Sequence, residues 1–142
     1  MSIACAIGYR AGSRRTRLCF QIVADSYNER KLIEFLEKLR RHFGAQRMVL
    51  IWDGLPSHRS RIMCAYLAEQ RSWLEVVQLP GYAPDLNPVD NLWANVKGQE
   101  LANRCVDELG QMVRGVHEAF RRIRGHRALL RSFLQHSGLS LT

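Results

Sequence analysis

Apolar positions in the first half of the chain change period in a readable order. Residues 2–9, SIACAIGY, form an apolar strand-like run. AGSRRT follows, with Gly12 and Ser13 as turn residues, and residues 17–24, RLCFQIVA, read as a second strand. Two strands joined by a short glycine-containing link predict a hairpin. Asn28 then caps a predicted helix, NERKLIEFLEKLRRHFG. Leu32, Phe35, Leu36 and Leu39 recur at helical spacing on its apolar face, and Gly44 ends it.

Residues 47–52, RMVLIW, are a continuous apolar run ending in Asp53-Gly54, the pattern of a buried strand in a parallel or mixed sheet. A second helix is predicted over 59–70, with Ile62, Ala65, Tyr66 and Leu67 facing inward. LEVVQL at 74–79 is a fourth strand. A turn-rich stretch, LPGYAPDLNPVDNLW, occupies 79–93. Further helices are predicted from Pro88 to Ala102, from Val106 to Arg124 and over 126–136, the last closed by Gly138. The order β-β-α-β-α-β-α-α-α implies an α/β or α+β domain with a mixed sheet. Ligand sites in such sheets gather at the carboxyl ends of strands, where Asp53 stands.

Composition narrows the class. The 142 residues suit one domain, and 46% hydrophobic content supports a real core. A net charge of +8 points to a polyanionic partner, nucleic acid before acidic membrane, although a merely basic protein carries the same surplus. Cys5, Cys19, Cys64 and Cys105 form no C-x-x-C pair and no zinc-finger spacing, which suits free thiols in a reducing compartment. The basic residues near the N-terminus follow the apolar run instead of preceding it, so no signal peptide is expected. No apolar stretch approaches the roughly 18 residues of a membrane span. A cytoplasmic location is the expectation.

Two carboxylates could do chemistry. Asp53 ends a strand, and Asp90, 37 positions on, begins the helix beyond the next strand. An α-β excursion returns the chain to the same sheet edge, so the two can meet. Converging carboxylates make a hard oxygen site suited to Mg²⁺. A pair of such ions about 4 Å apart can activate an attacking oxygen and stabilise a leaving oxygen of a phosphodiester. Local rules also explain each acid. Asp53-Gly54 is a common turn dipeptide. Asn87 fits N-cap, Pro88 N1 and Asp90 N3, where an acid supports a helix start. Capping and metal binding are compatible at Asp90.

The strand ending IWD, the segment GLPSH with His58 five positions after Asp53, and LPGYAPDLNPVDNLWANVK together resemble the DDE endonuclease domain of bacterial insertion-sequence transposases related to mariner. Leu79, Pro80, Tyr82, Pro84, Leu86, Asn87, Pro88, Trp93 and Lys97 fall in place in the long second motif. The resemblance implies a ribonuclease-H-like fold, a mixed sheet flanked by helices, over a single domain 1–142 with a helical part at about 104–142. It implies three acids holding two divalent ions, Mg²⁺ or Mn²⁺, with Asp53 as second acid and Asp90 as third. His58 and Asn87 would lie near the site. Lys97, seven positions after Asp90 and so on the same helical face, would touch DNA phosphate or be a solvated lysine. The implied partner is DNA, transposon ends and target, with a homodimer as a candidate assembly and no membrane; a bacterial cell would hold it at the nucleoid.

The departures from the family pattern are specific. Gly54 stands where Asn is usual, Gly81 where Pro is usual, and Asp90 where Glu is common. The first strand, with the first catalytic Asp, is missing, because Asp25 follows the second visible strand and reads as a surface turn residue. The resemblance therefore implies a C-terminal piece, weak or inactive alone, and a non-catalytic basic DNA-binding remnant is the alternative. Arg14, Arg15 and Arg17 cluster at the hairpin turn, and Arg121, Arg122, Arg124, Arg127 and Arg131 stud the last helices. Such arginines suit DNA phosphate, and equally a solvated face. Trp52, Trp73 and Trp93 border apolar runs and read as packing residues.

Overall fold

A computed structural model of the chain describes residues 1–10, 12–13, 15–81, 83–101 and 109–138, without the side chains of 84 and 99–101. Strands β1 (Ser2–Tyr9) and β2 (Thr16–Val23) form an antiparallel hairpin in which Cys5 faces Phe20 and Ile7 faces Leu18. The turn between them needs a left-handed residue, and Gly12 supplies it at φ 77°. Helix α1 (Glu29–His42) starts where Asn28 Oδ1 accepts the Lys31 N–H at 2.9 Å, and ends before Gly44 at φ 76°. Strands β3 (Met48–Trp52) and β4 (Leu74–Gln78) are parallel, joined through α2 (Arg61–Glu69).

The hairpin is a layer between two sets of helices. Side chains alternate across a strand. Ile3, Cys5 and Ile7 join Leu18, Phe20 and Ile22 on one face, packed against α3 (Pro88–Asn95), α4 (Leu109–Gly125) and α5 (Arg127–His136). Ala4, Ala6 and Cys19 pack with Leu32, Phe35, Leu36 and Leu39 of α1 on the other. The small residues let α1 sit close. Gly8 continues that face, and a Cβ there would run into the Phe43 ring.

Several expectations are corrected. The inward face of α2 is Met63, Tyr66 and Leu67, not Ile62 and Ala65; Ile62 is 62% exposed and Met63 is fully buried. Ser60 caps this helix through the Met63 N–H, so it starts at Arg61, and Met63, Tyr66 and Leu67 form the stripe against α1. β3 is not buried on both faces: Val49 is 59% and Ile51 43% exposed, because only Leu50 and Trp52 turn toward the α1 side. The third helix is α-helical only to Asn95 and widens into a π-helical turn, Val96–Leu101. Ala102 and the proposed helix start at Val106, like Arg14, Tyr82 and Cys105, lie outside the described residues. The expected antiparallel and parallel pairings both exist, but as two separate two-stranded sheets, β1–β2 and β3–β4. Cys5, Cys19 and Cys64 are free thiols.

Candidate active site

β3 delivers Asp53 at its carboxyl end, directly after the buried Trp52. The Asp53 carboxylate accepts the Leu55 N–H at 3.4 Å, an Asx-type turn that bends the chain away from the sheet. A 3-10 turn, Pro56–His58, then folds back and lays the His58 ring on Trp52, centroids 4.1 Å apart and planes within 10°. His58 Nδ1 lies 2.7 Å from the Asp53 carbonyl oxygen and 3.1 Å from Asp53 Oδ1. Both neighbours are acceptors, so Nδ1 carries a proton and donates to them. Gly54 fits closely too: a Cβ there would stand 2.5 Å from the Gln78 amide nitrogen. The side chain of Gln78 occupies the space beside position 54.

The Leu79 N–H donates to the Trp52 carbonyl at 2.8 Å, which holds the exit of β4 beside the exit of β3. The turn-rich stretch therefore begins next to Asp53. It passes through a 3-10 turn, Pro84–Leu86, into α3. Asn87 Oδ1 accepts the Val89 N–H at 3.1 Å, Pro88 takes the first helical position, and Asp90 the third. α3 is fixed from behind by Asn91, whose amide donates to Phe133 O at 3.3 Å and Ser137 Oγ at 3.2 Å of the α5 end.

Asp53, His58, Asn87 and Asp90 line one cavity of about 440 Å³. The Asp90 carboxyl is raised above the ordinary carboxylate range, first by partial burial and then by the Asp53 charge. Cys5, in the middle of β1, is pushed up to about 12 by burial, then by Asp90 and by Cys19. Cys5 and the cavity-lining Val89 and Trp93 belong to the surroundings of the two acids, although the sequence marked Cys5 only as a spare thiol. Strand alternation could have placed it on the helix-facing side, but not beside Asp90.

The basic candidates stand elsewhere. Lys97 is exposed in the π-helical turn, where the helical phase changes, so the same-face argument from Asp90 holds only approximately. Arg15 is exposed at the hairpin turn, and Arg121 and Arg122 are exposed on α4. Arg121 lines a second cavity, of about 340 Å³, with Lys38, His117 and Arg124. Arg124 is committed to the fold: its Nε donates to Leu18 O at 3.1 Å and its guanidinium lies 4.8 Å from the centre of the Phe20 ring. Asp25 lies exposed, 3.7 Å from Lys31 Nζ.

Donor chemistry decides what the acids could hold. Two carboxylates at one cavity, with the Asp53 charge opposing ionisation of Asp90, fit a hard divalent cation, which would relieve that repulsion and fill its remaining positions with water and phosphate oxygen. Among the described residues, no group of three or more His, Cys, Asp or Glu is gathered to hold an ion. Among the described residues, Asp53 and Asp90 are the acids at this cavity, and their donor chemistry fits one ion.

A family model described as "DDE superfamily endonuclease" matches residues 7–113. No curated protein matches by sequence. Among solved structures, the catalytic domain of Mos1 mariner transposase superposes with a TM-score of 0.58 at 17% identity, over 99% of this chain and 83% of that one. The same catalytic domain with raltegravir and Mn gives 0.57 at 21%, over 97% and 76%. The Mos1 mariner paired-end complex with Mn gives 0.63 at 22%, over 85% of this chain and 38% of that one. The likenesses show the fold, a ribonuclease-H-like one. No helix among the described residues is long and apolar enough to cross a membrane.

Proposed function

The chain belongs to the DDE superfamily endonucleases, and from that premise we propose that it is the catalytic region of a DNA transposase in which Asp53 and Asp90 hold a divalent cation, Mg²⁺ or Mn²⁺. The observation that carries the reading is the coupling of the two acids at one cavity, across 37 positions of sequence. A bound cation of this kind polarises a phosphodiester and lowers the pKa of water. The protein's own part is positional. Asp53 is held by its Asx-type turn, Asp90 by the first turn of α3, and His58, anchored through Nδ1, would orient a water or a phosphate through Nε2. Arg15, Lys97, Arg121 and Arg122 are proposed to meet DNA phosphate, and the net charge of +8 supports that partner.

The chain spans 38% of the Mos1 chain in the paired-end complex, so recognition of transposon ends, strand transfer and assembly as a homodimer are proposals. Residues 1–142 alone are proposed to cleave weakly, because the described residues gather no third acid with Asp53 and Asp90 to hold a second cation. The test is metal-dependent nicking of duplex DNA with Mg²⁺ and Mn²⁺, beside Asp53→Ala and Asp90→Ala. Weak nicking that both substitutions abolish supports the reading. Mn²⁺ binding, read by electron paramagnetic resonance, gives a second measure. Salt-sensitive DNA binding without Mn²⁺ binding or cleavage would overturn it in favour of a non-catalytic DNA-binding remnant, a reading favoured by the lack of a third acid at the pair among the described residues.

A further inference from the structure

Basic side chains from two helices surround one aromatic ring on the outer edge of the hairpin. On α4, His117, Arg121 and Arg124 recur at helical spacing and so share one face. Phe20 of β2 lies against that face. The His117 ring meets it edge-on with centroids 5.6 Å apart, and the Arg124 guanidinium lies 4.8 Å from its centre. Lys38 reaches the same residue from α1 and donates to Phe20 O at 2.6 Å. Together with Gln21 and Ile22 these side chains line the second cavity, of about 340 Å³.

Among the described residues, no carboxylate lines this cavity. Its positive field is felt beyond it. At the end of α1, His42 is held below the usual histidine range, first by burial and then by Arg17, Arg124 and Lys38. Like charges held this close repel, and a bound anion relieves the repulsion. Two of the cations are already ordered by the fold. Arg124 Nε is fixed by Leu18 O at 3.1 Å and Lys38 Nζ by Phe20 O, and each keeps further N–H donors for a ligand. Less entropy is lost when a ligand meets side chains that are already fixed.

We propose that this cavity is an anion site that seats one phosphate group, held by Lys38, His117, Arg121 and Arg124. The donors converge from α1 on one side and α4 on the other. A phosphate presents oxygens in several directions and accepts from both sides, whereas a carboxylate presents two coplanar oxygens. Divalent cations are repelled here, so the site differs in kind from the cavity of Asp53 and Asp90. It differs in place too. The Leu18 and Phe20 carbonyls that meet Arg124 and Lys38 lie on the outer edge of β2, whereas the acid cavity is lined by β1. A phosphate seated here is therefore not the one the acids would act on. It comes from a DNA backbone or from free phosphate, and the recognising chemistry is the same for both. Only the DNA source rests on the function proposed above.

The test follows the His117 ring resonances of the full, isotope-labelled chain as inorganic phosphate is added at constant pH and ionic strength. A saturable shift is expected. Arg121 is exposed, so Arg121→Gln leaves the core untouched. It is expected to weaken phosphate binding by about tenfold, the loss of one charge-assisted hydrogen bond. Lys38→Gln is expected to weaken it as well. Arg30→Gln removes the same charge from an exposed position of α1 outside the cavity and is expected to change nothing. A DNA duplex of arbitrary sequence is the second probe. If it shifts the same resonances and phosphate competes with it, the seated group is a backbone phosphate. If the DNA-bound chain leaves His117 unmoved and still takes phosphate, the site serves free phosphate. Both probes are read without metal ion, so neither result depends on the acid pair. No saturable shift up to tens of millimolar phosphate overturns the proposal. So does equal weakening by Arg30→Gln and Arg121→Gln, which would reduce the effect to net charge.

Discussion

Asp53 and Asp90 line one cavity, and the charge on Asp53, at the end of β3, opposes ionisation of Asp90, in the first turn of α3. Burial of the Asp90 carboxyl is the larger cause, and the neighbour's charge adds to it. Asp90 therefore holds its proton more tightly folded than unfolded. In the pH range above the ordinary carboxylate pKa, the folded chain binds more protons than the unfolded one, so this group's contribution to stability falls as pH rises through the raised value. Urea unfolding from pH 3.5 to 7 is expected to show that fall as a difference between the native chain and Asp90→Asn. Asp53→Asn should reduce the difference without removing it, because burial remains.

A divalent cation acts in the opposite direction, since it favours both carboxylates ionised. Mg²⁺ or Mn²⁺ at ten times its dissociation constant is expected to stabilise the native chain by about 1.4 kcal/mol at neutral pH. Thermal unfolding with and without the ion checks this. Asp53→Asn and Asp90→Asn should each remove most of the gain, and equal gains in all three proteins would sink the shared site.

His58 is a positioning residue in this arrangement. Its ring stacks on Trp52 and its Nδ1–H bonds the Asp53 carbonyl. His58→Ala is expected to cost about 1–2 kcal/mol of stability and to weaken Mn²⁺ binding by loosening the Asp53 turn. His58→Phe keeps the stack and loses the hydrogen bond. If it restores stability but not Mn²⁺ affinity, the polar contact is what orients Asp53.

DNA binding should be salt-steep and separable from the acids. Removing one cation that neutralises a phosphate makes the plot of log K against log salt shallower by about 0.9. Arg121→Ala and Lys97→Ala are each expected to flatten it in this way, whereas Asp53→Asn and Asp90→Asn should leave binding intact or tighten it slightly. Fluorescence anisotropy between 50 and 200 mM salt reads the slopes; unchanged slopes in both cation variants would move the DNA face elsewhere.

Gly8 tests the close approach of the hairpin to α1. A methyl group there meets the Phe43 ring, so Gly8→Ala is expected to destabilise by about 1–3 kcal/mol. Adding Phe43→Leu should recover part of that loss in the same urea titration.

Much of the molecule is local and therefore legible along the chain. Asn28 and Asn87 satisfy orphan N–H groups within three residues, Gly12 and Gly44 take left-handed turns, and the 3.6 and 2.0 periods mark α1 and the hairpin. Placing Asp53 at a strand end and Asp90 in a helix's first turn needed no more than that. The inward face of α2 was misread because both Ile62 and Met63 are apolar, and only packing against α1 chose Met63. Apolar content likewise suggested burial of β3 on both faces, but burial needs a covering partner, and among the described residues Val49 and Ile51 stay exposed.

The sequence by itself determined the elements, their caps, the charge and the positions of the two acids, because each depends on neighbours a few residues away. Only the tertiary structure decided that the described strands form two sheets, β1–β2 and β3–β4, that Lys38 and Arg124 bond the Phe20 and Leu18 carbonyls on the outer edge of β2, and that Cys5 lines the same cavity as Asp90. Those facts depend on hydrogen-bond directions and distances between segments far apart in the chain, and residue order does not encode them locally.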